Sequence, residues 1–251
     1  MDKSQAPTQT AVVTGGAVRL GKAIALALAR RGMNLAIHYN ASAGAARALV
    51  QQIRDLGQQA IALQVDLGRP ALAPKLIEQT VAQFGRVDLL VNNAAIFEPG
   101  EWYDTDQENW DRHMNINLKS PFFLAQAFAR QANGQRDAQI INIGDWRGER
   151  PGAHYIAYTL TKAALIAMTQ SLAQALAPTI RVNAIAPGLI LPPPGEDERY
   201  LEQEALKIPA QRAGSTGEIV KALSYLLDAD FVTGEVLHVT GGEHLLVGRE
   251  T

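Results

Sequence analysis

The sequence predicts a single α/β domain built on a doubly wound, seven-stranded parallel sheet with helices on both faces. Short apolar runs alternate with longer stretches of helical periodicity along the chain, and this alternation is typical of a parallel sheet with crossover helices. Most of the apolar runs lack polar alternation, as expected of strands covered on both faces. A length of 251 residues fits one such domain, and no stretch reads as a linker, so we expect one domain over 1–251.

The elements follow from the same pattern, taken in order. Strands are predicted at residues 11–14, 34–38, 60–65, 87–91, 139–143, 181–185 and 235–239, and helices at 20–31, 43–56, 73–84, 109–132, 152–177 and 216–227. Gly32, Gly57 and Gly85 each follow a predicted helix, where a left-handed C-cap favours glycine. Residues 1–9 are expected to form a flexible N-terminal arm. Residues 187–209 are expected to form an irregular substrate-binding loop, since long loops after a strand's carboxyl end are usually functional.

Composition narrows the class of protein. A net charge of −2 and a hydrophobic content of 47% are ordinary values, without the basic excess that nucleic-acid or anionic-membrane binding usually needs. The absence of cysteine excludes disulfides and thiolate zinc sites, and the histidines lack metal-ligand spacing, so no metal is expected. The first ten residues are polar and resemble neither a signal peptide nor a membrane span. A cytoplasmic location is the default expectation.

A glycine-rich turn, residues 14–21 (Thr-Gly-Gly-Ala-Val-Arg-Leu-Gly), joins the first strand to the first helix. Glycine allows a phosphate to approach the backbone, and the helix that follows presents free N–H groups and its positive end. An ordinary strand-to-helix turn is the alternative reading. The order of strand, turn and helix near the N-terminus favours nucleotide binding.

The end of the second strand indicates which nucleotide binds. Its residues are His38-Tyr39-Asn40-Ala41-Ser42, and no acidic residue follows before Asp55. A carboxylate there would accept a hydrogen bond from the ribose 2′-hydroxyl of NAD and would repel the 2′-phosphate of NADP. Arg19 and Ser42 could instead bind that phosphate. Because a cation is disfavoured at a helix N-terminus, the position of Arg19 also calls for an anion. The sequence therefore predicts NADPH. Asp66, after the third strand, could accept from the adenine amino group or simply cap its loop.

Tyr158 and Lys162 are candidates for proton transfer. They are four residues apart in a predicted helix and so share one face, and an ammonium near a phenol favours its ionisation. Tyr158 is therefore a candidate proton donor, although a solvated surface pair has the same spacing. Asp145 comes thirteen positions earlier, after the apolar run 139–143, so the site would join a strand end to a helix.

Five ordered motifs resemble the short-chain dehydrogenase/reductases, which have a Rossmann fold. They are Thr14-Gly-x-x-x-Arg19-x-Gly21, Asn92-Asn93-Ala94, Asn117, Tyr158-x-x-x-Lys162 and Pro187-Gly188, within a match over residues 8–245. Most of the family have glycine at the position of Arg19 and serine at that of Asp145. Arg19 and Asp145, together with Phe97, resemble the pteridine reductases. Some of these have serine where Ala95 stands and arginine where Ala41 stands, which weakens the assignment to a particular pterin.

The resemblance implies roles for individual residues. Tyr158 would donate the proton, Lys162 would lower its pKa and hold the nicotinamide ribose, and Asn117 would anchor a water in the proton path. With Asp145, these form the implied catalytic set. The implied cofactor-binding residues are Gly15, Arg19, Leu20, Gly21, His38, Tyr39, Asn40, Ser42, Asp66, Leu67, Asn93, Ala94, Ala95, Tyr158, Lys162, Pro187 and Gly188. Phe97 would stack on a pterin, and the implied substrate-binding residues are Arg19, Phe97, Asp145, Trp146, Tyr158 and Leu189.

Asp145 also carries a physical argument about the substrate. A serine hydroxyl can donate to a ketone oxygen as it becomes an alkoxide, but an ionised carboxylate only accepts and would repel that charge. A ring that offers N–H groups or gains a proton on nitrogen suits Asp145 better, so reduction of a C=N bond in a pterin, dihydropterin or dihydrofolate is predicted. One alternative is that Asp145 caps a loop while Tyr158 alone serves a carbonyl reductase for 3-oxoacyl or quinone substrates. Another is a catalytically idle dinucleotide sensor.

Other side chains have less definite expectations. Residues 162–177 are apolar over more than one helix face, so that helix should be covered on both sides. The resemblance implies a homotetramer, and coverage by the loop 187–209 in a monomer is the alternative. Tyr155 is expected to line the pocket. Trp110 is expected to pack in the core, with a place in the pocket wall as the alternative. Arg147 and Arg150 are expected to lie at the surface or to bind a carboxylate tail. Thr240-Gly241-Gly242 replaces the commoner Asp-Gly-Gly of the family.

Overall fold

The computed structural model describes residues 8–132, 137–193 and 195–246. Its seven strands form one sheet in the order β3-β2-β1-β4-β5-β6-β7, and every neighbouring pair is parallel. This confirms the predicted fold class. Most of the predicted arm 1–9, and residue 194 of the predicted loop, lie outside the described residues. The strands are β1 (Thr10–Val13), β2 (Asn34–Tyr39), β3 (Ala60–Gln64), β4 (Leu89–Asn92), β5 (Ala138–Ile143), β6 (Ile180–Pro187) and β7 (Val236–Val239).

The helices cover both faces of the sheet. Gly32, Gly57 and Gly85 have φ angles of +87°, +87° and +82°, so the predicted left-handed residues after α1, α2 and α3 are confirmed. The helices are α1 (Arg19–Arg30), α2 (Ala43–Asp55), α3 (Pro74–Phe84), α4 (Gln107–His113), α5 (Ser120–Gln131), α6 (Ile156–Leu176), α7 (Glu198–Ala205) and α8 (Thr216–Asp228).

Three predictions about helices and packing need correction. The helix predicted at 109–132 is divided into α4 and α5 by a π-helical turn, Met114–Lys119. The loop predicted at 187–209 contains α7, which begins where the Asp197 side chain accepts a hydrogen bond from the Arg199 N–H group. Trp110 is exposed rather than packed in the core, because it lies on the solvent side of the short α4.

The sheet separates two hydrophobic layers. Alternate residues of β1 enter opposite layers, since side chains of a strand alternate between faces. Val13 packs in the layer of α1, α2 and α8, and Val12 in the layer of α3 and α5. Because all strands are parallel, their carboxyl ends meet at one edge, and β1 and β4 mark the point where the strand order reverses. A crevice at that point is the usual ligand site of such sheets.

Candidate active site

A cleft of about 340 Å³ lies at the carboxyl ends of β1, β2, β3 and β4. It collects most of the predicted cofactor-binding residues from four separate segments. Tyr39 is outside the cleft and packs against the core, because it points to the opposite face from His38 and Asn40. Ser42, at the start of α2, is also outside it. The predicted residues that line the cleft are Gly15, Arg19, Leu20, Gly21, His38, Asn40, Asp66, Leu67, Asn93, Ala94 and Ala95.

The glycine-rich turn and the segment after β4 are held together at the floor of this cleft. Thr14 Oγ1 accepts hydrogen bonds from the N–H groups of Asn93 at 2.9 Å and Ala94 at 3.0 Å. A Cβ atom at Gly21 would lie 2.2 Å from the Gly15 carbonyl oxygen, so only glycine fits where α1 packs on the turn. Thr14 is thus a residue of the site whose role was not predicted, although it is the first residue of the motif.

His38 supports the turn from below. Its Nδ1 accepts from the Gly15 N–H at 3.0 Å, and its Nε2 lies 2.9 Å from the Val65 carbonyl oxygen. Because a carbonyl only accepts, Nε2 carries the hydrogen and the ring is neutral in this arrangement. Burial lowers the pKa of His38 accordingly. The side chain therefore fixes the turn and does not add positive charge for a phosphate.

Arg19 has an unusual backbone conformation. Its φ angle is +50°, in the left-handed region that favours glycine, which explains why glycine is common at this position in the family that the motifs resemble. Its exposed guanidinium donates from Nη2 to the Pro192 carbonyl oxygen at 2.5 Å. Strained residues of this kind concentrate at functional sites. Arg19 thus links the turn to the loop that follows β6.

The reaction centre joins the end of β5 to α6. Asp145 Oδ1 accepts from the Arg147 N–H at 2.8 Å, which caps the short helical turn Trp146–Gly148. Its other oxygen, Oδ2, accepts from the Tyr158 hydroxyl at 2.8 Å. Asp145 is therefore both a loop cap and a direct partner of Tyr158.

The electrostatics of Tyr158 differ from the prediction. The pKa of Tyr158 is raised well above its ordinary value, first by burial and then by the Asp145 charge. Lys162 Nζ donates to the Ile143 carbonyl oxygen at 2.8 Å and lies 5.5 Å from the centre of the Tyr158 ring. The net shift is therefore upward, because burial and the directly bonded carboxylate dominate it. The lowering of the Tyr158 pKa that was expected from Lys162 stays a prediction. Burial lowers the pKa of Lys162 itself to about 8, and the Asp145 charge opposes this shift.

Asn117 lies in the π-helical turn and is buried. Its side chain accepts from the Ile96 N–H at 2.9 Å and donates to the Ile96 carbonyl at 3.0 Å. It also donates to Thr161 Oγ1 at 3.2 Å, which ties the segment after β4 to α6. Single π-helical turns recur at functional sites because they shift backbone carbonyls out of the helical pattern. The water proposed to bind at Asn117 stays a prediction.

Aromatic side chains line the substrate side. Phe97 stacks on Tyr155, with ring centres 4.2 Å apart, and meets Tyr158 edge-on at 4.7 Å. Trp146 is buried, and the Arg147 guanidinium lies over its ring at 4.8 Å. The Arg147 side chain is 26% exposed and lies beside Asp145, and its binding of a carboxylate tail stays a prediction. The structure places Phe97, Tyr155 and Tyr158 together, whereas Trp146 supports the site from within the protein.

The segment Pro187-Gly188-Leu189 is fixed by the C-terminal part of the chain. The Gly188 N–H donates to the Val239 carbonyl at 3.0 Å, and the Leu189 N–H donates to Glu243 Oε2 at 3.0 Å. Burial raises the pKa of Glu243, and the Arg147 charge opposes that shift. Glu243 was not among the predicted site residues. The only signal in the sequence was its place directly after Thr240-Gly241-Gly242.

Two other features, a membrane-spanning helix and a metal centre, are not found among the described residues. Within the described part of the chain, no helix has the length and apolar character needed to cross a bilayer. Among the same residues, no group of three or more His, Asp or Glu side chains is placed to hold a metal ion.

Comparisons with known proteins agree with this geometry. The enoyl-(acyl carrier protein) reductase family model matches residues 16–244. A 3-oxoacyl-[acyl-carrier-protein] reductase, FabG, of Staphylococcus aureus is 34% identical and covers 95% of this chain and 99% of its own. The structure of FolM alternative dihydrofolate reductase 1 from Brucella suis, in complex with NADP, is 38% identical with a TM-score of 0.88, covering 95% of this chain and 96% of its own.

A third similar structure is a blue fluorescent protein from a metagenomic library, in complex with NADPH. It is 35% identical, with a TM-score of 0.86, and the match covers 94% of this chain and 98% of that one. The matches to these relatives span nearly the whole length of each protein. The chain therefore belongs to the short-chain dehydrogenase/reductase family of oxidoreductases.

Proposed function

We propose that this protein is an NADPH-dependent reductase that acts on the C=N bond of a pterin, dihydropterin or dihydrofolate. The observation that carries the proposal is the 2.8 Å hydrogen bond from the Tyr158 hydroxyl to Asp145. A carboxylate at this point disfavours a substrate oxygen that becomes negative and favours a nitrogen that carries or gains a proton. The similarity to a FolM alternative dihydrofolate reductase supports the same chemistry.

The cleft residues fit NADPH. Glycine at positions 15 and 21 lets the turn pack closely on α1 without side chains, and the N–H groups at the start of that helix suit a pyrophosphate. Arg19 supplies a cation for the 2′-phosphate, and no carboxylate occurs between the end of β2 and Asp55 to repel it. Similar proteins have been crystallised with NADP and NADPH. When bound, NADPH supplies the hydride.

The protein's own groups then manage the proton. Tyr158 donates its hydroxyl proton to the ring nitrogen. Asp145 accepts a hydrogen bond from an N–H group of the substrate or from the hydroxyl of Tyr158. The buried ammonium of Lys162 stabilises the phenolate that remains. Because burial and Asp145 both raise the pKa of Tyr158, that phenolate recovers a proton readily. Phe97 and Tyr155 present aromatic faces suited to a planar heterocycle.

A spectrophotometric assay of NADPH oxidation tests the proposal. Purified protein is supplied with dihydrobiopterin, dihydromonapterin or dihydrofolate, and in parallel with 3-oxoacyl and quinone substrates. We expect turnover with at least one of the three pterin-type substrates and slower turnover with NADH. Absence of NADPH oxidation with all three would reject the proposal.

A second candidate function is reduction of a 3-oxoacyl ketone. The observation that favours it is the 34% identity to a 3-oxoacyl-[acyl-carrier-protein] reductase over nearly the whole chain. Ketone turnover that survives Asp145→Asn but not Tyr158→Phe would support this function instead. Turnover with any substrate would remove the third possibility, a catalytically idle dinucleotide sensor.

We also propose that the chain assembles as a homotetramer through the outer face of α5 and α6. This face has a groove of about 510 Å³ lined by side chains of both helices. Phe122 and Phe123 of α5 are exposed beside each other. The described residues of the loop 187–209 do not line this groove, so they do not cover this face as the monomeric alternative requires.

A further inference from the structure

The turn after β7, Thr240–Glu243, contacts both ends of the substrate loop, residues 187–209. At the first end, Glu243 Oε2 accepts from the Leu189 N–H at 3.0 Å. At the second end, the Gly241 carbonyl accepts from the N–H of Ala210, the residue after the loop, at 2.9 Å. One short turn therefore fixes where the loop leaves the sheet and where it returns.

The Glu243 side chain fits closely at the first end. A Cβ atom at Gly188 would lie 2.5 Å from Glu243 Oε2, so glycine at this position leaves room for the carboxylate. Leu189 follows the segment Pro187-Gly188, which the resemblance places beside the nicotinamide. The hydrogen bond therefore reaches the part of the loop nearest to the reaction centre.

Glu243 is also electrostatically coupled to the reaction centre. Burial raises its pKa, the Arg147 charge opposes this effect, and the charges of Asp145 and Glu204 add to it. Arg147 in turn holds Asp145 through its backbone N–H at 2.8 Å. The Arg147 guanidinium also lies 3.8 Å from Asp145 Oδ1, so its charge acts on both Asp145 and Glu243.

We propose that Glu243 is a positioning residue that fixes the first end of the substrate loop through the Leu189 N–H and so sets the affinity for substrate. It acts through the loop and not on the reacting atoms. Without this acceptor, the N–H group loses its partner and the loop spends less time in its binding arrangement. A smaller binding-competent fraction raises the apparent dissociation constant by the same factor.

Three variants test this role. Glu243→Ala removes the acceptor, Glu243→Gln retains an acceptor oxygen without the charge, and Glu235→Ala removes an exposed glutamate from the start of the same region as a control. The first measurement is the rate of tryptic cleavage after Arg199, in the loop helix α7, which depends on neither substrate nor turnover. We expect cleavage about tenfold faster in Glu243→Ala, the size of effect that loss of one hydrogen bond produces.

The second measurement is steady-state kinetics, which rests on the proposed function. In Glu243→Ala we expect KM for dihydropterin to rise about tenfold while kcat stays within about threefold, because Asp145, Tyr158 and Lys162 are outside the loop. Glu243→Gln and Glu235→Ala should behave like the wild type in both measurements.

Wild-type cleavage rates in Glu243→Ala would overturn the proposal, as would equal effects of Gln and Ala. A parallel fall of kcat and thermal stability with unchanged KM would also overturn it, since that result indicates general destabilisation. If the wild type reduces no pterin, the proposed function fails, and the cleavage rates still decide the role of Glu243.

Discussion

The Tyr158 hydroxyl donates a hydrogen bond to Asp145 Oδ2, and the other oxygen of the same carboxylate is held by the Arg147 N–H. Asp145 is therefore oriented by the backbone before any substrate arrives. Such a fixed acceptor offers catalytic assistance without reorganisation during the reaction. Its preference for N–H groups over a developing alkoxide separates this site from one built around a serine hydroxyl.

The first prediction is that Asp145→Ser reverses substrate preference. We expect kcat/KM for dihydropterin to fall about 100-fold, which is the lower end of the range for loss of a group that assists proton transfer. We expect kcat/KM for a 3-oxoacyl or quinone substrate to rise. Asp145→Asn, which keeps the shape but loses the charge, should lower pterin reduction without helping ketones. An equal change for both substrate classes would contradict the role given to the carboxylate.

The second prediction is that Arg19→Gly improves stability and weakens NADPH binding. Glycine relieves the strain at φ +50°, and we expect the free energy of unfolding to rise by about 1 kcal/mol. KM for NADPH should rise about tenfold through loss of a charge-assisted hydrogen bond, while KM for NADH changes little. Thermal melts and kinetics with both cofactors measure this.

Arg19→Ala is the matched control, since it removes the guanidinium but keeps a side chain in the left-handed region. It should lose NADPH preference without gaining stability. Equal stabilisation by Ala and Gly would contradict the strain argument, and an unchanged preference for NADPH over NADH in both variants would contradict the phosphate contact.

The third prediction concerns alkaline pH. The pKa of Lys162 is lowered from 10.5 to about 8 by burial, so its stabilising charge is present below that pH and is lost as pH rises. We expect kcat/KM to fall with an apparent pKa of about 8, because this parameter reports the free enzyme. The Tyr158 pKa is well above this range, so Tyr158 stays protonated.

Over the interval from pH 8 to 10.5 the unfolded chain binds more protons at this lysine than the folded protein does. The contribution of Lys162 to stability therefore rises with pH while activity falls. In Lys162→Arg the side chain stays charged. We expect this variant to be less active, and its kcat/KM should not fall at alkaline pH. If kcat/KM falls with the same apparent pKa in the wild type and in Lys162→Arg, the fall belongs to another ionisable group.

The sequence predicted the parts of the molecule that depend on local pattern. Apolar runs located all seven strands, and glycine located the left-handed residues after α1, α2 and α3. The contact of Asp145 with Tyr158 could also be predicted from the sequence, because a single connection joins β5 to α6. Helix α7 was missed because its eight residues are mostly polar and follow a proline-rich stretch, and both features favour a loop.

Contacts between segments that are distant in sequence could not be predicted from local pattern. Glu243 and Leu189 are 54 residues apart in sequence and meet only because the carboxyl ends of β6 and β7 are adjacent. The direction of the Tyr158 pKa shift likewise depends on burial and on which charge is directly bonded. The four-residue spacing predicted that Lys162 lies near Tyr158, but it did not predict that Lys162 donates a hydrogen bond to the Ile143 carbonyl oxygen.

The fourth prediction is that Phe122→Glu disrupts the assembly. Phe122 is 43% exposed and lines the groove between α5 and α6, so a charge there would have to be buried in a second copy of the chain at high cost. Light scattering should give the mass of a tetramer for the wild type and half that mass or less for the variant. Leu56→Glu is a matched control, because Leu56 is also 43% exposed but follows α2, away from the groove. A monomeric wild type, or an unchanged mass in Phe122→Glu, would contradict assembly through this face.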